Sequence, residues 1–264
     1  LSSMWKLQYA PLGVFRRVKN ARIGRISMNH DFRAPLSQGI MIARLFRYAS
    51  LLLIGLILLV VLSVLAFRWL PVPTSSFMLQ SRTHVDYQWV DLEQISPYMA
   101  LAVIAAEDQR FPEHSGLDMV EIEKALYSDS GPPRGASTIT QQVAKNLYLW
   151  GGRNYLRKGI EAGIALLIEL SWSKQRILEV YLNIAQFGDG VYGVEAASWR
   201  YFNRPAAALT QQQSALLAAV LPNPEIYRVE NPEGWTLGRQ RWILKQMRNL
   251  GGVEYLENLS GPGA

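Results

Sequence analysis

One stretch of this chain is hydrophobic without interruption: residues 48–67, 20 positions dominated by Leu, Ile and Val and fenced by Arg47 and Arg68. As a helix rising ~1.5 Å per residue it spans roughly 30 Å, the thickness of a bilayer's hydrocarbon core. A buried core helix rarely runs this long without a charge, so the pattern predicts a transmembrane helix. A cleaved signal peptide fits less well. Such peptides carry an apolar region of only ~7–15 residues, and Leu65-Ala66-Phe67-Arg68 offers no small-x-small cleavage site.

Beyond Arg68 the apolar positions fall into helix-length clusters punctuated by Gly, Pro and Ser. Pro71-Val72-Pro73-Thr74-Ser75-Ser76 reads as a stiff connector. Ser96-Pro97 starts a helix, with Ser able to cap and Pro tolerated at the first position. That helix runs through Met99, Leu101, Val103, Ile104 and Ala105 and ends near Glu107, before Pro112. Further helices are predicted over 117–127, 138–147 (broken at Gly151-Gly152), 155–170, a segment capped by Ser173, and 194–201. Residues 128–133 read as a loop and 188–193 as a turn. Thr210-Gln211-Gln212-Gln213 is a capping-box pattern before a helix that stops at Pro222-Asn223-Pro224. A last helix over 235–250 has Lys245 and Arg248 in its final turns, as helix C-termini favour. No period-2 series marks a strand, and no internal repeat is present. The pattern is all-α.

The net charge of +6 raises the prospect of nucleic acid, and its distribution removes it. Residues 1–47 hold nine Lys or Arg against Asp31 alone, whereas residues 69–264 hold 17 bases against 20 acids. The basic excess therefore flanks the membrane helix and orients the N-terminus toward the cytoplasm. The segments expected are a basic cytoplasmic tail (1–47), a transmembrane helix (48–67), a connector (68–84), an outer domain (85–254) and a C-terminal tail (255–264). The domain would lie outside the cytoplasmic membrane, in the periplasm of a two-membrane cell. The chain begins with Leu1, and Met4 and Met28 are alternative starts. Zero cysteines are compatible with an oxidising compartment.

Two segments carry candidate chemistry. Glu107 closes an apolar helix, where partial burial and the negative helix terminus both disfavour its charged form. A carboxylate so placed can serve as an acid or base near neutral pH, or simply pair with Arg110. Glu161 lies four residues after Arg157 and so allows an ordinary surface ion pair. Yet residues 130–160 hold Arg134, Lys145, Arg153, Arg157 and Lys158 and no acid, within a domain that is acidic as a whole. Such a basic island suits a diphosphate. Thr138 can cap the helix bearing Gln141, Gln142, Lys145 and Asn146, whose spacing lets side chains converge on a ligand from one face.

These segments resemble the motifs of the peptidoglycan glycosyltransferases (glycosyltransferase family 51), of the monofunctional biosynthetic transglycosylase type. Glu107-Asp108-x-x-Phe111-x-x-His114-x-Gly116 matches the first motif, and Gly135-Ala136-Ser137-Thr138-Ile139-Thr140-Gln141-Gln142 the second, with Ala136 where many members have Gly. Arg157-Lys158-x-x-Glu161 matches the third, and Lys174-x-x-Ile177-Leu178-Glu179-x-Tyr181-Leu182-Asn183 the fourth. The resemblance covers about residues 85–250. It implies a lysozyme-like helical domain with Glu107 as catalytic base and Glu161 as the second essential carboxylate. Lys145, Arg153 and Lys158 would grip the donor diphosphate, with Gln142 and Ser137 lining the cleft. Asp108, His114, Arg157, Glu179 and Asn183 would be structural or support the site from behind.

The implied reaction polymerises lipid II into β-1,4 glycan with inversion at the donor MurNAc C1. The implied partners are lipid II, the growing lipid-linked glycan, the membrane and other cell-wall or division proteins. No cofactor is required, although Glu161 leaves room for a divalent cation, Mg or Mn. Two rivals remain. A membrane-anchored lysozyme-like hydrolase would use two carboxylates and water but has no need of five bases. A non-catalytic cell-wall scaffold would be indifferent to Glu107. Ser171-Trp172-Ser173-Lys174 also fits the S-x-x-K pattern of penicillin-binding transpeptidases, but it lies inside the fourth motif and no K-T-G follows.

Overall fold

The computed structural model describes residues 34–121, 123, 137–152 and 154–260. The predicted loop at 128–133, part of the helix expected over 117–127, and most of the basic tail lie outside these residues. The chain divides into two compact units, residues 1–52 and 53–264.

Helix α1 (Ala34–Phe67) is longer than the uncharged run, because Arg44 and Arg47 are good helix formers and extend it upstream. Its Gly39–Phe67 portion, whose most apolar 18-residue stretch has a mean hydropathy of 3.0, is long and apolar enough to cross a bilayer. Its side chains are mostly without protein partners; Leu52, for example, is 76% exposed.

Within the second unit, the last turns of α1 belong to the domain core. Val64 is fully buried, and Val60 and Phe67 pack beside it. The Trp172 indole donates to the Val64 carbonyl at 2.7 Å. Arg176 Nε donates to the Phe67 carbonyl at 2.9 Å. A short helix α2 (Ser76–Leu79) follows the connector, capped by the Ser75 hydroxyl.

Helix α3 (Pro97–Glu107) is apolar on every side and buried from Met99 to Ala106, as a helix surrounded by protein should be. Ser96 precedes it, but the hydroxyl does not cap. It donates instead to the Leu209 carbonyl at 2.8 Å, so a long-range bond displaces the local one expected. The remaining helices are α4 (Ile139–Tyr148), α5 (Tyr155–Ser171), α6 (Lys174–Ile184), α7 (Val194–Phe202), α8 (Gln211–Val220) and α9 (Gly234–Asn249). The caps at Thr138 and Ser173 and the capping box at Thr210 form as the sequence predicts, and Thr138 also closes a capping box with Gln141. Helix α3 packs on α8 and α9, while α4 packs on α5 and α6. Small side chains let α3 and α8 approach closely, with Ala102, Ala105, Ala215, Ala218 and Ala219 in one buried cluster with Ile243 and Met247.

The domain is mostly helical, with one departure. A three-stranded sheet of order β1-β3-β2 joins β1 (Asp86–Tyr87), β2 (Gln186–Gly188) and β3 (Val191–Tyr192). β1 runs parallel to β3, pairing Asp86 with Val191, and β2 runs antiparallel to it. The turn expected at 188–193 is thus the heart of a hairpin. Strands of two or three residues are too short to show a period. Gly190 allows the turn, since its φ is 71° and a Cβ there would meet the His84 carbonyl oxygen at 2.2 Å.

Asn183 holds the segment entering this domain in the manner of a strand. Its Oδ1 accepts from the Val90 N–H at 2.9 Å, and its Nδ2 donates to the Val90 carbonyl at 2.8 Å and the Glu179 carbonyl at 2.9 Å. Asn183→Ala leaves both buried Val90 groups unpaired, and the expected cost is about 2–3 kcal/mol in denaturant unfolding. The Glu179 carboxylate accepts from the Leu92 N–H at 3.2 Å and pairs with Arg176 at 2.6 Å. Residues 255–260, expected as tail, belong to a 3-10 helix (Gly252–Ser260) that buries Leu259. Its Tyr255 hydroxyl donates to the Gln109 carbonyl at 2.7 Å.

Candidate active site

Two helix termini meet at Glu107. Where α3 ends, the Asp108 carboxylate turns inward and accepts from His114 Nε2 at 2.9 Å and from the Ile139 N–H at 3.0 Å. The Thr138 hydroxyl donates to the Gly116 carbonyl at 2.6 Å while capping α4. These bonds fasten the start of α4 to the end of α3, and one turn into α4 they bring Gln142 opposite Glu107.

The Gln142 amide is oriented from both sides. Its Nε2 donates to Glu107 Oε2 at 2.9 Å, and its Oε1 accepts from the Tyr181 hydroxyl at 3.2 Å. Burial pushes the Tyr181 phenol well above its usual pKa, so it remains a donor. Burial also pushes the Glu107 carboxyl above the ordinary carboxylate range. The Gln142 hydrogen bond and the Arg239 and Lys145 charges pull it part of the way back, while Asp108 pushes it further up. A half-buried carboxylate that is hydrogen-bonded yet hard to ionise is equipped to take a proton.

The second carboxylate is fully engaged. Glu161 Oε2 accepts from Arg157 Nη1 at 2.7 Å and its Oε1 from Lys158 Nζ at 2.5 Å. The Arg157–Glu161 pair has the four-residue spacing of a surface pair, but Glu161 is only 2% exposed and Arg157 7%. Lys158 also donates to the Ser137 hydroxyl at 2.7 Å, tying α5 to the entry of α4.

Lys145 lies between the two clusters and feels Glu161, Arg157, Glu107 and Lys158. Among the described residues its side chain makes no ion pair or hydrogen bond, and its ammonium sits 5.5 Å from the Phe77 ring centroid. Burial lowers its pKa below the usual lysine value. It lines a cleft with Gln142, Tyr181, Phe77, Asn223 and Glu225. A half-buried cation facing a cleft without a counter-ion is a seat for an anion.

The sequence-predicted residues thus form a continuous group from Glu107 through Gln142 and Lys145 to Lys158, Ser137, Arg157 and Glu161. Arg153 lies outside the described residues, as do Gly135 and Ala136. Asp108 and His114 stand behind the cleft, and Glu179 and Asn183 hold the scaffold. Sequence reasoning missed Tyr181 and Arg239 as neighbours of Glu107. It also missed Glu169, which accepts from Thr140 Oγ1 at 2.5 Å and Lys174 Nζ at 2.9 Å. No local pattern signals contacts so far apart in the chain. The serine and lysine of the S-x-x-K pattern are occupied elsewhere, Ser171 on the Leu167 carbonyl and Lys174 on Glu169.

Among the described residues, one trio could hold a metal: Asp108, His114 and Asp118 bring ligand atoms within 4.8 Å of one another. The two carboxylates already have protein partners, whereas His114 Nδ1 is buried without one. Asp118 Oδ1 accepts from Arg110 Nη1 and the Val120 N–H, both at 3.0 Å, and Asp108 from His114 and Ile139.

Comparison with known proteins agrees with this geometry. A family model described as Transglycosylase matches residues 75–248. A biosynthetic peptidoglycan transglycosylase of Cronobacter sakazakii is 50% identical over 234 residues, covering 83% of this chain and 96% of that protein. Proteins of the same name from Shigella boydii and Escherichia coli are each 54% identical over 204 residues, covering 72% of this chain and 84% of theirs. With a match spanning the helical domain and both carboxylate clusters, this chain belongs to the transglycosylase family.

Proposed function

We propose that the protein polymerises lipid II into peptidoglycan glycan strands at the outer face of the cytoplasmic membrane. Glu107 takes the proton from the acceptor GlcNAc 4-hydroxyl as that oxygen attacks C1 of the donor MurNAc. The bond from C1 to the diphosphate oxygen breaks, and the polyprenyl diphosphate leaves with its electron pair. Attack opposite the leaving group converts an α-linked donor into a β-1,4 linkage.

The observation that carries this reading is the position of Lys145, an unpaired cation one turn from Gln142, with Glu107 on one side and the Arg157–Lys158–Glu161 cluster on the other. Its charge would be neutralised by the departing diphosphate, stabilising charge where it develops. Glu161 acts through the basic side chains it holds, keeping Lys158 aimed toward Ser137. The reading calls for no cofactor. The helix α1 supplies the anchor, since the substrate's lipid remains in the bilayer and a tethered enzyme searches a surface.

Hydrolysis is less well supported, because both oxygens of Glu161 are already committed to cations and are not free to activate water. Partners among other cell-wall proteins would join through surfaces outside this cleft. The test is polymerisation of labelled lipid II in detergent by the full-length protein beside Lys145→Ala. Long glycan from the wild type, with a rate about 10–100-fold lower for the variant, is expected. Cleavage of preformed glycan with no polymer made would reverse the assignment.

A further inference from the structure

Arg239 lies half-buried on α9 and reaches across to the end of α3, where its Nη2 donates to the Ala106 carbonyl at 2.7 Å. Its guanidinium carbon lies 4.2 Å from the Trp242 ring centroid, and its Nε is buried without a hydrogen-bond partner. Among the described residues it forms no ion pair. Withdrawing a guanidinium from water without a carboxylate to hold it is costly, and a purely structural clamp could be neutral. Its electrostatic counterpart is Glu107, one residue beyond the carbonyl it grips. Helix α3 has no basic residue in its last turn. Its negative C-terminal pole, with Asp108 beside it, therefore works against an ionised Glu107 unless positive charge arrives from elsewhere.

We infer that Arg239 is a positioning residue for the general base, clamping the last turn of α3 so that the Glu107 carboxylate faces the cleft and remains charged there. This rests on Glu107 acting as the base. The other groups facing Glu107 are Gln142 and Lys145 from α4, Tyr181 from α6, and Asp108 next to it in the chain. Lys145 is the only other cation among them, and it also faces the diphosphate. Arg239 is therefore the charge that can be changed without touching the leaving-group site.

The test is the pH dependence of lipid II polymerisation by the full-length protein. Arg239→Gln keeps a donor for the Ala106 carbonyl and removes the charge, whereas Arg239→Lys keeps the charge. The wild-type rate should rise with pH as Glu107 ionises. In Arg239→Gln this rise should move to higher pH by about one unit, with most of the alkaline plateau retained, and Arg239→Lys should move it back. Arg239→Met, whose apolar stem can still lie on Trp242, replaces the Gln variant if that variant does not fold. A uniform drop at every pH, or an unmoved rise in the folded neutral variants, would overturn the inference while leaving the base in place. If Glu107→Gln still polymerises, the base reading falls and this inference with it.

Discussion

Glu107→Gln is expected to silence glycan polymerisation, with a loss of about 10²–10⁴-fold or more, and to leave the fold intact. The substitution changes neither shape nor volume. Its amide oxygen can still accept from Gln142 Nε2, which Tyr181 holds in place from the other side. What disappears is the ability to take a proton. Stability should hold or rise slightly, because burial already works against the charged carboxylate and the amide carries no charge to bury. The sign of the pH dependence follows from the same geometry. A base must be deprotonated to act, and the Glu107 pKa is raised, so the wild-type rate should fall as pH drops through that raised value. Polymer length and rate on labelled lipid II, with circular dichroism on the same samples, check both halves. A folded Glu107→Gln that still made long glycan would remove Glu107 from the reaction.

The second large effect is on stability as well as rate. Glu161→Ala strands Arg157, which is 7% exposed and whose Nε already lacks a partner. Breaking a buried ion pair on one side costs about 3–5 kcal/mol, because an uncompensated charge is left in the interior. Lys158, with 43% of its side chain exposed, can relax into solvent and would then release Ser137. Polymerisation should fall with it, since the cationic end of the cleft loses its shape. The double variant Arg157→Met with Glu161→Leu separates the two consequences. It should recover most of the stability, as apolar replacement of a buried pair often does, without recovering the rate. Denaturant unfolding and polymerisation, measured on all three proteins, give the comparison. Full activity in the folded double variant would show that the pair serves the fold alone.

The features legible in advance were those encoded over one or two helical turns. The end of α3 at Glu107 follows from an apolar run meeting Pro112. The caps at Thr138, Ser173 and Thr210 follow from a hydroxyl placed just before a helical pattern. A helix long and apolar enough to cross a membrane follows from composition and length alone. Ser96 shows the limit of such reading. Its hydroxyl could cap locally, but packing put the Leu209 carbonyl within reach, and the long-range bond prevailed. The sheet escaped notice because its strands are held by pairing across the chain rather than by their own pattern. Residues 255–260 read as tail because their one deeply buried side chain, Leu259, packs on elements far upstream.

The site divides along the same line. Which residue types could do the chemistry, and that a basic island accompanies two carboxylates, is determined by the chain itself. Whether those residues meet depends on how the helices pack. Asp108 and Thr138 join α3 to α4, which sets Gln142 against Glu107, and α9 delivers Arg239 to the Ala106 carbonyl just before that carboxylate. Burial then turns an ordinary four-residue ion pair at Arg157 and Glu161 into a fixed buried pair that holds Lys158 toward Ser137. Hydrogen-bond patterns within a helix depend on near neighbours and can be read from near neighbours. Desolvation and convergence depend on what the rest of the molecule places around a group, and only the tertiary structure decides that.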